Sequence, residues 1–192
     1  NVSIYKTLAE GSYFFVFDPN TSTQNLGNLG EVDYMGFEVD ASAMITEGLD
    51  GYVAFGYTDS EIQASGRDPN DAGNEAPLVS EYTFNIGAQY RRPLGTWNGV
   101  GFFIRADYQI IGPTYWYPDN FTTRHPVDLL DLRGGLEGER WAITAWSKNL
   151  NDNEYNAEWS PGPQFFPAPG YSNNFVFKAP PRTWGIDFTY KF

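Results

Sequence analysis

Cysteine is absent from the 192 residues, and histidine occurs once, at His125. The first absence excludes disulfides and thiolate metal sites, and the second excludes a zinc centre built from several imidazoles. Cations are scarce: 12 Lys and Arg against 24 Asp and Glu leave a formal net charge of −12. That sign argues against binding to nucleic-acid phosphates. No apolar run approaches the roughly 20 residues of a membrane-spanning helix. The mean hydropathy is −0.45, but this does not exclude a membrane, because a transmembrane β-barrel shows lipid only every second residue. There is no Gly-x-Ser-x-Gly elbow and no phosphate-binding glycine loop. A Ser/His/Asp triad would have to use His125, which sits in Arg124-His125-Pro126 and reads as a solvated loop residue. The acidic stretch 68–75 lacks the EF-hand spacing and reads as an ordinary loop. Neither a catalytic centre nor a cofactor is expected. The opening NVSIYKTLAE has neither the basic start nor the apolar segment of a signal peptide. It reads like the inside of a strand, as in a processed precursor or a piece of something larger.

Period-two alternation is abundant. Over 35–45, Met35, Phe37, Val39, Ala41, Ala43 and Ile45 share one face, with Glu38, Asp40 and Ser42 on the other. Residues 82–90, 102–110, 130–137 and 183–192 repeat the pattern, 51–57 and 141–149 less regularly. The stretch 1–17 also reads as a strand, but both its faces are apolar and its register is open. About eight strands result. Their connectors alternate between tight turns (46–51, 93–99, 138–140) and long polar segments (18–31, 58–80, 111–127, 150–182). Asp50-Gly51 and Asn98-Gly99 are expected to supply the positive φ angles of hairpin turns. In an up-and-down meander such alternation puts every tight turn at one end of the sheet and every long loop at the other, as in outer-membrane barrels.

The apolar face points either to a core or to lipid. Tyr82 and Tyr90 lie eight residues apart on one face, as do Trp184 and Phe192. At a rise of about 3.4 Å and a tilt of roughly 40°, eight residues cover about 21 Å, near the roughly 25 Å band bracketed by aromatic girdles. Trp97 and Trp141, beside tight turns, suit the lower girdle. The opposite face carries Glu38, Asp40, Gln89, Arg105, Asp107, Asp131, Arg133, Asp187 and Lys191. A dry core holds such a set only with full pairing, whereas a hydrated lumen holds it easily. The expected fold is therefore an all-β, antiparallel, up-and-down transmembrane barrel. Glu38, Asp40, Arg105, Asp107, Arg133 and Asp187 are expected to face the lumen, and Trp184, Ile186, Phe188, Tyr190 and Phe192 to face lipid.

The motifs resemble the C-terminal part of the barrel of TonB-dependent outer-membrane receptors. Gly36-Phe37-Glu38-Val39-Asp40 is similar to the family's strand after an extracellular loop. Asn74-Glu75-Ala76-Pro77 followed by Tyr82-Thr83-Phe84-Asn85-Ile86-Gly87 resembles a loop-to-strand junction. WAITAWSKNLNDN at 141–153 resembles the penultimate strand and its exit, and Pro180-Pro181-Arg182-Thr183-Trp184-Gly185 with Phe192 resembles the last strand. The resemblance implies a 22-stranded barrel with an N-terminal plug, of which residues 1–192 are one C-terminal part. Plug, energy-coupling box and earlier strands would lie outside this chain. It further implies the bacterial outer membrane, lipid and TonB as partners, a strand and terminal Phe192 that serve barrel assembly, and uptake of a scarce large nutrient such as a ferric siderophore. An eight-stranded barrel complete in itself, with a structural or adhesion role, and a soluble ligand-binding barrel are the alternatives.

Candidate ligand contacts cluster in the long segments. Tyr115, Trp116, Tyr117, Phe121, Arg124 and His125 fall in one of them. Trp159, Phe165, Phe166, Tyr171, Phe175 and Phe177 fall in the last, among Pro161, Pro163, Pro167 and Pro169. Aromatics with a few polar groups suit a binding vestibule; packing of the loops on one another is the competing use.

Overall fold

Strands with one apolar and one polar face need neighbours in matching register. The computed structural model describes residues 1–18, 23–66, 68–95, 99–160 and 174–192; Trp97, Phe165, Phe166, Tyr171 and the four prolines of 161–169 lie outside the described residues. In chain order the strands are β1 (Val2–Asp18), β2 (Thr23–Thr46), β3 (Leu49–Ala64), β4 (Tyr82–Pro93), β5 (Gly101–Ile111), β6 (Thr114–Tyr115), β7 (Thr123–Arg124), β8 (Val127–Glu137), β9 (Trp141–Lys148), β10 (Asn156–Ser160), β11 (Phe175–Lys178) and β12 (Thr183–Tyr190). Eight of them form one antiparallel sheet in the order β1-β2-β3-β4-β5-β8-β9-β12. The pairs β6–β7 and β10–β11 are small ribbons within the long connectors. Among the described residues the one helical element is a 3-10 turn at Pro69–Asp71, and no helix is long and apolar enough to cross a membrane.

The register makes the apolar face continuous. Val2 opposes Val39, Val39 opposes Phe55, Phe55 opposes Phe84 and Phe84 opposes Ile110. Nearer the tight turns Tyr90 opposes Ile104, and on the last strands Ile143 opposes Phe188 and Trp141 opposes Tyr190. Apolar and aromatic cross-strand pairs of this kind contribute roughly 0.2–1 kcal/mol each. On β2 this face runs from Met35 to Ile45, which spans about 26 Å along the barrel axis for ten steps of about 3.4 Å tilted by roughly 40°. It stops abruptly on the loop side: Asp59 opposes Met35, Asp33 opposes Glu61, and Lys6 pairs with Asp33 at 3.7 Å. Tyr57 opposite Tyr82 marks that margin, and Trp141, Tyr190 and Tyr90 mark the other.

Three aromatic rings on the opposite face cover glycines directly across from them: Tyr5 over Gly36, Tyr52 over Gly87 and Trp146 over Gly185. A Cβ at each of these glycines would run into the ring, so the pairs fill the hollow that a strand glycine leaves.

Three expectations are corrected. Residues 18–31 are not a long loop: β1 and β2 stay paired up to Asp18 opposite Thr23, and β3 likewise runs on to Ala64. Asn and Gly are depleted in strands, so the polar half of β2 reads as loop. Beyond the apolar band the outer face no longer meets lipid and turns polar, so the pattern of the band does not carry on, and the β-prone residues of β1 hold the pairing. A bulge at Gly11 and Gly30, with φ of 69° and 78°, resets the register there. The first hairpin turn uses Gly48, with φ of 79°, while Gly51 lies within β3 opposite Ala88. The second turn does use Gly99, with φ of 76°. The terminal strand also ends at Tyr190, opposite Trp141. Lys191 N–H still donates to Arg140 O at 2.8 Å, and the Phe192 ring meets Tyr190 edge-on at 5.4 Å.

A buried apolar cluster sits at the loop end and not within the wall. Leu29, Val32, Ile62 and Ala76 form it, with Phe14, Tyr34 and Val79 packed around. The 69–76 segment is pinned onto β3 by Ile62 N–H to Asn74 O and Gly73 N–H to Ile62 O, both 2.8 Å. Asn120 exchanges hydrogen bonds with the Glu75 backbone at 2.8 and 3.0 Å, which ties this segment to the β6–β7 connector. The exit from β9 is built from Asn and Asp side chains. Asn149 and Asp152 take positive φ of 52° and 56°, a region these residues tolerate. Asn153 donates to Asp128 Oδ1 at 2.7 Å and Asn151 to Asp128 Oδ2 at 2.9 Å.

Candidate functional site

Two cavities open among the loop-end elements. The larger, about 780 Å³, lies between the upper β1–β2 hairpin, the β6–β7 connector and β10. Phe14 of β1 meets Tyr117 edge-on at 5.4 Å, and Tyr117 meets Trp159 edge-on at 5.7 Å. Trp116 is buried in the same wall. Glu10 and Glu158 supply carboxylates at the lining, and Ser12 and Ser160 hydroxyls. Edge-to-face contacts of this kind fix ring orientation as well as burying area.

The smaller cavity, about 210 Å³, is lined by Trp116, Arg124, His125, Tyr155, Asn156 and Lys178 among others. Arg124 Nε and Asn156 Oδ1 are buried there and have no hydrogen-bond partner among the described residues. Arg124 reaches Ser80 Oγ through one terminal nitrogen at 3.4 Å. Burial pushes the Arg124 guanidinium below its ordinary value, and the charge of Tyr155 opposes that shift. A guanidinium remains a cation throughout, so this cavity offers a partly desolvated positive group.

The sequence-derived cluster is thus divided. Trp116, Tyr117 and Trp159 come together at the large cavity. Arg124 and His125 line the small one, with Trp116 shared. Tyr115 lies in β6, its carbonyl accepting from Leu78 N–H at 2.8 Å, and lines neither cavity. Phe121 is 90% exposed and Phe177 60%. Phe14 was missed. The run Tyr13-Phe14-Phe15 held the signal, but the bulge that turns Phe14 inward leaves no mark in the periodicity. The acidic stretch 68–75 serves local structure: Asp68 Oδ1 accepts from Asn70 N–H at 2.9 Å and caps the 3-10 turn.

The polar face carries its charges as a pattern. Arg105 opposes Arg133 and Asp107 opposes Asp131, so unlike charges sit on the diagonals. Arg105 Nε donates to both oxygens of Asp107 at 3.0 and 2.8 Å, and Tyr52 OH donates to Asp107 Oδ1 at 2.8 Å. By strand parity Glu38, Asp40 and Asp187 lie on this same face. Trp184, Ile186, Phe188 and Tyr190 lie on the apolar one, exposed along β12.

A sheet with one unbroken apolar face, aromatic margins about one membrane apart, charges opposite, and long loops at one end defines the wall of a transmembrane β-barrel. The chain belongs to the TonB-dependent receptors: the family's β-barrel model matches residues 1–150. The whole chain superposes on the ferric yersiniabactin uptake receptor FyuA of Yersinia pestis with a TM-score of 0.78 at 21% identity, covering 100% of this chain and 27% of that one. The ferric preacinetobactin receptor BauA of Acinetobacter baumannii gives 0.68 at 17%, covering 100% and 27%. The copper transporter OprC gives 0.72 at 15%, covering 100% and 28%. The chain therefore spans about a quarter of the length of these solved receptors.

Proposed function

We propose that this chain is the C-terminal barrel wall and extracellular mouth of an outer-membrane receptor that imports a large, scarce nutrient of the ferric siderophore type. The observation that carries the reading is the aromatic cavity of about 780 Å³ at the loop end, within the size range of small-molecule sites. Phe14, Tyr117 and Trp159 hold its walls by mutual ring contacts. The Arg124 guanidinium lies in the adjoining polar cavity and suits the anionic periphery of a metal chelate. In this reading the remaining strands and the plug close the barrel around the polar face, so that Glu38, Asp40, Arg105, Asp107, Arg133 and Asp187 meet a hydrated lumen. TonB supplies energy through the plug, and lipid covers the other face. The chain is then part of a transporter and not of an enzyme.

The test uses the intact receptor in detergent. Ferric chelates of the catecholate, hydroxamate and phenolate classes are titrated against intrinsic fluorescence. One class is expected to bind at micromolar Kd or tighter, with Tyr117→Ala and Trp159→Ala each weakening it about tenfold. Binding that is unchanged in both variants would remove the cavity from the recognition site.

A further inference from the structure

The apolar face is concave in the half nearest the tight turns. Ala43, Gly51, Ala88 and Ala106 stand directly opposite one another on the four adjacent strands β2 to β5. This row of small residues floors a groove of about 500 Å³, walled by Ile45, Val53, Ile86, Tyr108 and Leu130. Side chains of the wall stand out on both sides of a furrow that has no side chain of its own large enough to fill it. In a bilayer an unfilled apolar furrow loses van der Waals contacts that a well-seated chain regains.

A second observation on the same face identifies what fills it. Four residues along β4 from Ala88, and so again on the apolar face, stands Arg92, opposite Phe102. It is exposed and donates to Tyr90 OH at 3.3 Å. Among the described residues it forms no salt bridge. Arg91 beside it points to the other face and is held by Glu137 at 2.8 Å. Tyr90 marks the membrane margin. Two steps of about 3.4 Å tilted by roughly 40° put Arg92 about 5 Å beyond that margin, at headgroup depth, and about 10 Å from Ala88. Groove and cation are therefore spaced as an acyl chain and its phosphate are. With Arg91 neutralised by Glu137 on the other face, the attraction is local to Arg92 and one lipid is held.

We propose that this groove and Arg92 form a binding site for one phospholipid of the periplasmic leaflet, the acyl chain seated over Ala43, Gly51, Ala88 and Ala106 and the phosphate on the Arg92 guanidinium beside Tyr90. The proposal rests on the lipid-facing assignment of the apolar face, and it extends that assignment from a general solvent contact to a discrete site.

The experiment is native mass spectrometry of the intact receptor, released from detergent after titration with phosphatidylglycerol. One tightly retained phosphatidylglycerol is expected. Arg92→Gln and Ala88→Phe should each lower its apparent affinity at least fivefold, and Val39→Leu, outside the groove, should leave it unchanged. Equal retention in wild type and both variants would overturn the site. So would displacement by inorganic phosphate, which would make Arg92 a free-anion site, or a change of oligomeric state in Ala88→Phe without loss of lipid, which would make the groove a contact between copies. Recovery of each variant in the outer-membrane fraction is measured in parallel. Absence of the wild type from that fraction would refute the membrane reading itself, a failure distinct from loss of the lipid site alone.

Discussion

Glu75 illustrates how a single side chain at the loop end couples to solution conditions. Partial desolvation at the loop end raises its pKa above the ordinary 4.5, and the nearby charges of Glu81 and Asp59 raise it further. The folded loop therefore holds the proton to higher pH than the unfolded chain does, and folding there takes up protons. The contribution is fully present below about 4.5, the ordinary Glu value, and is lost as pH rises through the raised value. The amides that report it are Ala76, which donates to Ser60 Oγ at 3.1 Å, and Ile62, which donates to Asn74 O at 2.8 Å. Their hydrogen-exchange protection, compared after correction for intrinsic rates, is expected to fall as pH rises above the ordinary Glu value of 4.5. Glu75→Gln, which keeps the shape and removes the titration, should flatten that dependence; an identical profile in the variant would exclude Glu75 as its source. Phe14 and Arg124 mark what the sequence could not show at this scale. Arg124 could be placed in a loop by composition, but whether it meets water or an enclosed cavity depends on Tyr155 and Asn156, more than thirty residues away.

At the scale of the strand, the two faces of β3 make opposite demands. Val53 opposes Ala41 and Ile86 in the middle of the apolar band, while Ala54, its neighbour in sequence, opposes Asp40 and Asn85. Val53→Arg should destabilise the folded barrel by about 2–4 kcal/mol, the cost of a guanidinium on the lipid face near the midplane. Ala54→Arg, placed beside Asp40, should cost much less. Urea titration of the receptor refolded into lipid vesicles checks both; equal losses would refute the assignment of faces. Period two was legible here because a one-residue slip would move every apolar side chain to the polar face; the first strand, apolar on both faces, was expected as a strand with its register open. The upper halves of β2 and β3 were not legible, since beyond the apolar band the buried side chains, Val32 and Ile62, change to the opposite face and Asp33 and Glu61 take the outer one. The turn at Gly48 was misread for a related reason: Glu47-Gly48 and Asp50-Gly51 both carry a glycine suited to positive φ. The choice fell to the site where Leu49 can oppose Tyr90 and Arg91 N–H can donate to Gly48 O at 2.7 Å.

For the whole molecule, the decisive feature is where the sheet does not close. β1 pairs with β2 and β12 with β9, and these two outer strands do not pair with each other. In lipid, a row of unpaired N–H and C=O groups along either edge is untenable. Two arrangements satisfy those edges: further strands of a larger receptor, or a small barrel in which β1 and β12 meet. The family match and the superposition on a quarter of much longer receptors favour the first. These 192 residues contain no cysteine, so cysteine pairs placed in them, in an intact receptor whose other cysteines are replaced by serine, give the test. Ser3 and Thr189 lie on the polar face of the two outer strands, and Ser3 opposes Glu38 on β2. With Ser3→Cys and Glu38→Cys together, a short bifunctional thiol reagent is expected to link β1 to β2 in high yield. With Ser3→Cys and Thr189→Cys it should give no intramolecular link, because other strands separate the two. A β1–β12 link formed as readily as the β1–β2 control would close the barrel on eight strands, and the receptor reading of this wall would have to be abandoned.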